Sequence, residues 1–347
     1  MRVAALVAVL LAAAAVVWSR PGEGEWAAAA AGAHPCNVPT VDAGAHSVEA
    51  LAADVRRADR AATPLLLRRA MLAWPAFAAW RRRADFLRAY GQMHVGVGVG
   101  FRISARPNRD GLFHSWIGPG AGASAAERDE ARALRRRFEA QARAGTAPSL
   151  AVAELAARVR NGSLPHDAYS FAPVDGTALA NVSELHRLWR LLPHAHDDGH
   201  VAGTLFGLGG RGSGVMFHSH TPAVSALFAG HKRWLLYDDA AHGPDRAFLR
   251  AQLARATRRD PGFRLHSMAA WVEHVLPLPD VRAWWARAGW DCVQRAGDLL
   301  YVPGQLHHGT LNLDEAVSLS IQASKTLAPR RPVGEAKKIP ARPDKTK

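Results

Sequence analysis

Alternation of apolar and polar positions predicts β-strands over much of the chain. Between Met93 and Ile103 the apolar residues recur at every second position, the period of a strand with one buried face. Beyond about residue 166, short apolar runs are separated by Gly and Pro, and they predict strands at 168–171, 204–208, 223–228, 233–237, 299–302 and 316–321. Many short strands in one region predict a double-sheet barrel or jelly roll.

Helical patterns occupy other regions. Residues 47–90 are predicted to be mostly helical, with interruptions at Pro64 and Pro75. Residues 124–160 contain two charged, Ala-rich stretches, which predict a helical insertion on the outside of the core. Residues 246–259 and 280–287 also have helical composition. The predicted fold class is therefore mainly β, with a helical N-terminal segment and further helical additions.

The two ends of the chain differ from its middle. Residues 1–19 combine Arg2, an apolar run and small residues at the cleavage spacing, as a secretory signal peptide does. The apolar run is shorter than the ~20 residues of a spanning helix, so no stable membrane span is expected unless the leader is retained as a signal anchor. Residues 20–46 are predicted to be a flexible segment, 47–323 the folded domain, and 324–347 a disordered basic tail.

The net charge of +14 does not indicate nucleic-acid binding. The tail alone contributes +6, and +7 remains over residues 20–324. No stretch interleaves basic and aromatic residues as single-strand binders do. The distribution of lysine is more informative, because Lys232 is the only lysine before Lys325 in a chain that otherwise uses Arg. A site that requires a compact ammonium group would retain such a lysine; chance is the alternative.

Cysteines and glycosylation motifs agree with entry into the secretory pathway. Asn161 and Asn181 each begin an Asn-X-Ser sequon without Pro. Cys36 and Cys292 are the only cysteines. In an oxidising compartment an isolated pair predicts a disulfide, and two buried free thiols are the alternative. The expected location is the lumen of the endoplasmic reticulum.

Two histidine motifs are candidates for a metal site. Residues 194–200 (HAHDDGH) follow Pro193 in a polar stretch and are predicted to be a solvated loop. His218 and His220 lie instead in apolar strand sequence, where positions i and i+2 face the same side. Their imidazoles would project together into a barrel, and His308, on a distant strand, would supply a third ligand.

The sequence around these three histidines resembles that of a known family. Residues 214–237 (GVMFHSHTPAVSALFAGHKRWLLY) and 296–322 (AGDLLYVPGQLHHGTLNLDEAVSLSIQ) resemble the two halves of the JmjC domain, a cupin-type jelly roll that binds Fe(II) and 2-oxoglutarate. The most specific pieces are GHKRW at 230–234 and LNLD at 311–314. Residues 64–76 are similar to the opening of the single-domain hydroxylases. A lumenal branch of the family also carries a leader, HxH, and cysteines at the places of Cys36 and Cys292.

The resemblance implies a role for each matching residue. His218, His220 and His308 would bind the metal, and Lys232 would pair with the distal carboxylate of 2-oxoglutarate. His307 would be a neighbour rather than a ligand. Ser225 and Ser320 fall at strand positions where related hydroxylases place a polar contact to the cosubstrate. An alternative for Lys232 is that its ammonium group lies in solvent.

His220 stands where the family usually has a carboxylate, and this leaves two functions open. The usual site has two His and one carboxylate, with open positions on Fe(II). A three-imidazole site also suits Zn(II). The first hypothesis is a lumenal Fe(II)/2-oxoglutarate-dependent protein hydroxylase. The second is a non-catalytic protein that uses the same fold to bind protein partners in the secretory pathway. Fold alone does not choose between them.

Overall fold

The computed structural model describes residues 36–44, 46–99, 125–145, 149–164, 168–174, 179, 190–192, 201–261 and 267–323. The described strands are β1 (Thr40–Asp42), β2 (Leu65–Arg68), β3 (His94–Gly96), β4 (Gly98–Val99), β5 (Ser149–Ala151), β6 (Ala168–Pro173), β7 (Val201–Gly209), β8 (Gly214–His218), β9 (Ala223–Ala229), β10 (His231–Tyr237), β11 (Gly289–Arg295), β12 (Leu299–Val302), β13 (His307–Asn312) and β14 (Ala316–Ala323).

Two sheets face each other and form a jelly roll, as the sequence predicts. The larger sheet has the order β1-β2-β12-β9-β14-β7-β6-β4, and the smaller has the order β11-β10-β13-β8. From β7 to β10, and again from β11 to β14, the chain passes repeatedly from one sheet to the other. One passage uses Gly230 between β9 and β10, where φ is +78° and an added Cβ would lie 2.3 Å from Glu315 O. Only glycine tolerates both the dihedral angle and the close approach.

Strand alternation separates the two faces of the smaller sheet. Lys232 and Trp234 of β10, together with His308 and Thr310 of β13, line the cavity inside the barrel. Leu235 and Leu311 instead belong to an apolar cluster under the helices that cover the outer face. Because side chains on successive residues point to opposite faces, one strand supplies both polar cavity residues and outer core residues.

Helices cover the barrel and form the insertion. The described helices are α1 (Val48–Arg60), α2 (Pro75–Trp80), α3 (Arg83–Tyr90), α4 (Ala125–Arg143), α5 (Val152–Asn161), α6 (Asp239–His242), α7 (Arg246–Arg259), α8 (Met268–Ala270, continuing as a π-helix over Trp271–Val275) and α9 (Pro279–Ala288). Side-chain caps start several of them; Ser47 Oγ, for example, accepts a hydrogen bond from Ala50 N at the start of α1. Within the described part of the chain, none of these helices has the length and apolar character needed to cross a membrane.

A disulfide joins the N-terminal segment to the smaller sheet. Cys36 is bonded to Cys292 of β11, with a Cα–Cα distance of 4.0 Å and a sequence separation of 256. The predicted pairing is therefore confirmed, and the free-thiol alternative is wrong. The flexible segment predicted over 20–46 also differs in part from the structure, because the bonded Cys36 leads directly into β1.

Two regions differ from the predicted pattern. Strand β2 lies inside the stretch predicted to be mostly helical, since three apolar residues in a row do not distinguish the two periods. The alternation that begins at Met93 forms two short strands, β3 and β4, which pair with β5 and β6 respectively. Residues 100–103 of that prediction, the leader and the C-terminal tail lie outside the described residues.

Candidate metal centre

Three histidines come together at one end of the barrel. His218 is the last residue of β8, and His220 follows it after a single residue. His308 lies on β13, directly opposite His218 in the antiparallel pairing of these two strands. The structure thus brings together the three residues that the sequence proposed as ligands.

Their spacing is compact enough for a single ion. The ring centroids of His218 and His308 are 4.3 Å apart, those of His220 and His308 4.7 Å, and those of His218 and His220 5.3 Å. One ring nitrogen from each histidine lies within 4.8 Å of the other two. Among the described residues, no other group of His, Cys, Asp or Glu has this geometry.

Backbone carbonyls fix the tautomer of all three rings. His218 Nδ1 lies 2.8 Å from Met216 O, His220 Nδ1 2.5 Å from Thr221 O, and His308 Nδ1 2.9 Å from Leu306 O. A carbonyl can only accept, so each Nδ1 carries the proton and donates it. Each Nε2 therefore keeps its lone pair, which is the form in which imidazole binds a metal.

Burial keeps the three rings neutral. Desolvation lowers the pKa of His218 to about 4, although the Met216 carbonyl acts in the opposite direction. Desolvation also lowers the pKa of His220, and it lowers that of fully buried His308 well below the usual range, with further lowering by His218 and His220. Metal ligands must be deprotonated, so these rings would bind an ion at neutral pH without first losing protons.

The donor set fits a divalent transition metal. Three imidazole nitrogens suit Zn(II) and Fe(II), whereas Mg(II) and Ca(II) prefer oxygen ligands. The set is neutral, so a bound divalent ion would retain its full +2 charge. Such a site attracts an anion as an additional ligand.

Lys232 crosses the interior of the barrel. Its side chain is buried, with 2% exposure, and Nζ donates to Ser318 Oγ at 2.9 Å and to Tyr169 Oη at 3.1 Å. Lys232 belongs to the smaller sheet, and both acceptors belong to the larger one. The alternative that its ammonium group lies in solvent is therefore wrong.

Lys232 and the histidines line the same cavity. Ser225 and Ser320, which the sequence proposed as cosubstrate contacts, line it as well and lie directly opposite each other in the pairing of β9 with β14. Ser225 Oγ is buried and has no hydrogen-bond partner among the described residues. A buried hydroxyl without a partner is costly unless a ligand or water satisfies it.

Tyr169 and Ser318 were not among the residues proposed from the sequence. Both are buried, and β7 makes room for them with two glycines. A Cβ at Gly207 would lie 2.4 Å from Ser318 Oγ and 2.5 Å from Tyr169 Oη, and one at Gly209 would lie 2.6 Å from Tyr169 Cδ2. The signals in the sequence were the two glycines at strand spacing and the alternating polar residues Ser318 and Ser320 in an otherwise apolar strand.

The remaining candidates lie elsewhere. The ring of His307 stacks on Tyr237, with centroids 5.3 Å apart, outside the ligand cluster. Asn161 is exposed at the end of α5, and its Oδ1 accepts from Ser163 N at 3.0 Å. Asn181 and residues 194–200 lie outside the described residues.

Comparison with known proteins finds similarity to JmjC-domain proteins over part of the chain. The chain is 35% identical to the Homo sapiens JmjC domain-containing protein 8 over 118 residues, which are 33% of this chain and 36% of that protein. It is 34% identical to the Mus musculus protein of the same name over 116 residues, 33% of this chain and 35% of that protein. Both relatives are JmjC-domain proteins, and the similarity supports a JmjC-domain assignment.

The match covers only part of the proteins compared. The chain spans about a third of the length of the curated relatives it matches. No protein-family model matches the chain. The jelly roll and the three-histidine cluster fit a JmjC-type cupin metal site, which is the feature on which a functional proposal can be built.

Proposed function

We propose that this protein is a JmjC-type cupin of the secretory pathway that binds Fe(II) at His218, His220 and His308 and 2-oxoglutarate at Lys232, and that it hydroxylates a protein side chain. The observation that carries the proposal is that the buried ammonium group of Lys232 lies in the same cavity as the three histidine ligands.

Lys232 favours an anionic ligand for electrostatic reasons. The two acceptors recorded for its ammonium group are neutral hydroxyls, and no carboxylate pairs with it in the described part of the chain. A buried charge without a counter-ion is strongly disfavoured. Nζ has three N–H donors, so one remains for a ligand carboxylate. A dicarboxylate with one end at Lys232 and the other at the metal would balance both positive groups.

The chain's own residues would bind and orient the cosubstrate. Lys232, Tyr169 and Ser318 would hold the distal carboxylate by hydrogen bonds in a site closed to water, where such bonds are strong. Ser225 and Ser320 would offer hydroxyls to the part of the ligand between the two ends. A bound Fe(II) would activate O₂, the oxidant, for hydroxylation of the side chain while 2-oxoglutarate is oxidised to succinate and CO₂. The histidines would hold that ion through neutral nitrogens.

A titration tests the cosubstrate pocket. Calorimetry with 2-oxoglutarate, with Mn(II) in place of oxidisable Fe(II), should show binding to the wild-type protein. Lys232→Ala should abolish it by removing the cation, and Lys232→Arg should abolish it because a longer, planar group cannot fit between Tyr169 and Ser318. Arg282→Ala, which removes an exposed cation on α9, serves as the matched control and should bind as the wild type does. Absence of binding to the wild type contradicts the proposal.

One observation favours the second function, a non-catalytic protein that binds partners. His220 supplies a neutral nitrogen where a carboxylate would donate more electron density to iron. Succinate release from 2-oxoglutarate should therefore be compared between the wild type and His220→Asp, each loaded with Fe(II). Release by the wild type supports the oxygenase. Release by His220→Asp alone would assign the loss of activity to this one ligand and support the partner-binding function.

Residence in the lumen of the endoplasmic reticulum is part of the same proposal. It is supported by the leader over residues 1–19, by two sequons and by the single disulfide, a bond that persists in oxidising compartments. Fractionation of the native cells with protease protection should find the protein inside sealed vesicles. A protein accessible to protease without detergent contradicts this location.

A further inference from the structure

The segment that follows Cys36 bridges the two sheets of the barrel. We call residues 36–42 the strap. At one end Cys36 is bonded to Cys292 on β11, the edge strand of the smaller sheet. At the other end β1 pairs with β2, in the larger sheet. The strap therefore runs from β11 of the smaller sheet to β2 of the larger sheet.

Asn37 extends the disulfide into a hydrogen-bonded contact with β11. Its backbone N donates to Asp291 O at 3.2 Å, its side-chain Oδ1 accepts from Asp291 N at 2.7 Å, and its Nδ2 donates to Gly289 O at 3.0 Å. One asparagine thus satisfies three backbone groups along the edge strand. Further on, Pro39 O accepts from Leu66 N at 2.9 Å. The strap is fixed to both sheets by direct bonds.

Beneath the strap lies an apolar cluster that reaches the metal centre. Val38 is 3% exposed and belongs to a cluster of buried residues with Leu66, Trp234, Leu236, Cys292, Leu300, Val302 and Leu306. Two members of this cluster are neighbours of His308. The ring of Trp234 lies 6.0 Å from the His308 ring, and Leu306 provides the carbonyl that accepts from His308 Nδ1.

We infer that the strap positions the metal ligand His308, with Cys36, Asn37 and Val38 acting through Trp234 and Leu306. Without the disulfide, Asn37 would supply the hydrogen bonds between the strap and the smaller sheet among the described residues, and the packing of Val38 on the cluster would be looser. Trp234 and Leu306 would then gain freedom to move, and the His308 ring would lose its fixed orientation and tautomer. Partners that orient a metal ligand in this way are worth about 10–100-fold in metal affinity.

This inference rests on the metal site of the proposed function, and it adds that metal binding depends on an oxidised disulfide. The test uses Co(II), which reports coordination by its visible absorption. The full-length wild-type protein and the double variant Cys36→Ser/Cys292→Ala are titrated with Co(II) in competition with a chelator. The double variant should bind Co(II) at least about tenfold more weakly, with an altered absorption band.

Two further variants separate positioning from general stability. Asn37→Ala keeps the disulfide, so it tests the strap even if the double variant does not fold, and it should show a smaller loss of affinity in the same direction. Leu134→Ala removes buried side-chain volume from the insertion helix α4 and should lower the melting temperature without changing Co(II) affinity. Wild-type affinity and absorption in the two strap variants would overturn the inference while leaving the metal site in place. A wild-type protein that binds no Co(II) would overturn both.

Discussion

Lys232 Nζ lies 2.9 Å from Ser318 Oγ, and this hydrogen bond joins the two sheets across the interior of the barrel. An ammonium group in this position is there at the expense of stability, because two hydroxyls do not replace the hydration of a charge. The same group is well placed to recognise a carboxylate. We therefore expect removal of the Lys232 ammonium group to weaken carboxylate binding without lowering the stability of the fold.

Replacement of Lys232 by methionine should separate the two effects. Methionine has similar length and no charge, so Lys232→Met should leave the free energy of unfolding unchanged or raise it by about 1 kcal/mol or more in the absence of ligand. Binding of 2-oxoglutarate should be lost. Denaturant unfolding and calorimetry measure the two quantities. Lys232→Met protein that is destabilised by several kcal/mol would mean that the ammonium group is a structural element rather than a ligand-binding one.

The space under Tyr169 depends on Gly207. Gly207→Ala would place a methyl group 2.4 Å from Ser318 Oγ and 2.5 Å from Tyr169 Oη, so both hydroxyls would have to move. We expect a loss of about 1–3 kcal/mol in stability and weaker binding of 2-oxoglutarate. Adding Tyr169→Phe removes one of the two oxygens and should recover part of the stability but not the binding. Gly44→Ala, whose Cβ would make only contacts of 3.6 Å, is the control and should be neutral.

Stability of the metal-free protein should decrease in mild acid. The pKa of His218 is lowered to about 4 in the folded protein from the ordinary 6.5, so below pH 6.5 the unfolded chain binds more protons. The stability present above pH 6.5 is then lost progressively as the pH falls toward 4. At pH 5 the cost from His218 is about 2 kcal/mol.

A variant isolates this contribution from the other titrating groups. His218→Gln does not titrate, so the stability difference between wild type and variant should shift by about 2 kcal/mol between pH 7 and pH 5. Urea unfolding at both values, with a chelator present, measures it. A difference that does not change with pH would show that His218 is as easily protonated in the folded protein as in the unfolded chain.

The acceptor residue of the first sequon, Asn161, is exposed, whereas Ser163 is buried. Asn161 is exposed at the end of α5, and its Oδ1 accepts the backbone N–H of Ser163, so the side-chain nitrogen is not used by that contact. Protein made in a secretory host should therefore carry a glycan at this position, and glycosidase treatment should increase its gel mobility.

Ser163→Ala provides the control for this glycan. Ser163 Oγ has no hydrogen-bond partner in the described part of the chain, so its removal should abolish the sequon at little cost in stability. The variant should be made with Asn181→Gln, so that only one sequon is tested at a time. Equal mobility of Asn181→Gln protein before and after glycosidase would rule out modification at Asn161.

The sequence determined the features that depend on local order. The apolar runs of the barrel, the helix over 246–259 and the isolated cysteine pair all follow from residue type and period. The strand argument also brought His218 and His220 together, although β8 ends at His218 and His220 lies just beyond it. Each can be recognised because neighbouring residues along one strand or helix have a fixed geometric relation. Lys232, the only lysine before Lys325, was also singled out in the sequence, and the structure buries it beside the site.

Only the tertiary structure decided which distant residues meet. The sequence named His308 as a ligand, but only the pairing of β8 with β13 shows that it lies opposite His218. The packing of the two sheets brings Tyr169 and Ser318 to Lys232, a contact that the sequence did not predict. Strand order and register are set by long-range packing, which alternation within one strand does not specify. The strap depends on the same kind of contact, since Asn37 bonds to residues more than 250 positions away. The alternation along a strand assigns each side chain to one face of its sheet. Only the folded chain determines which side chains of distant strands meet on that face.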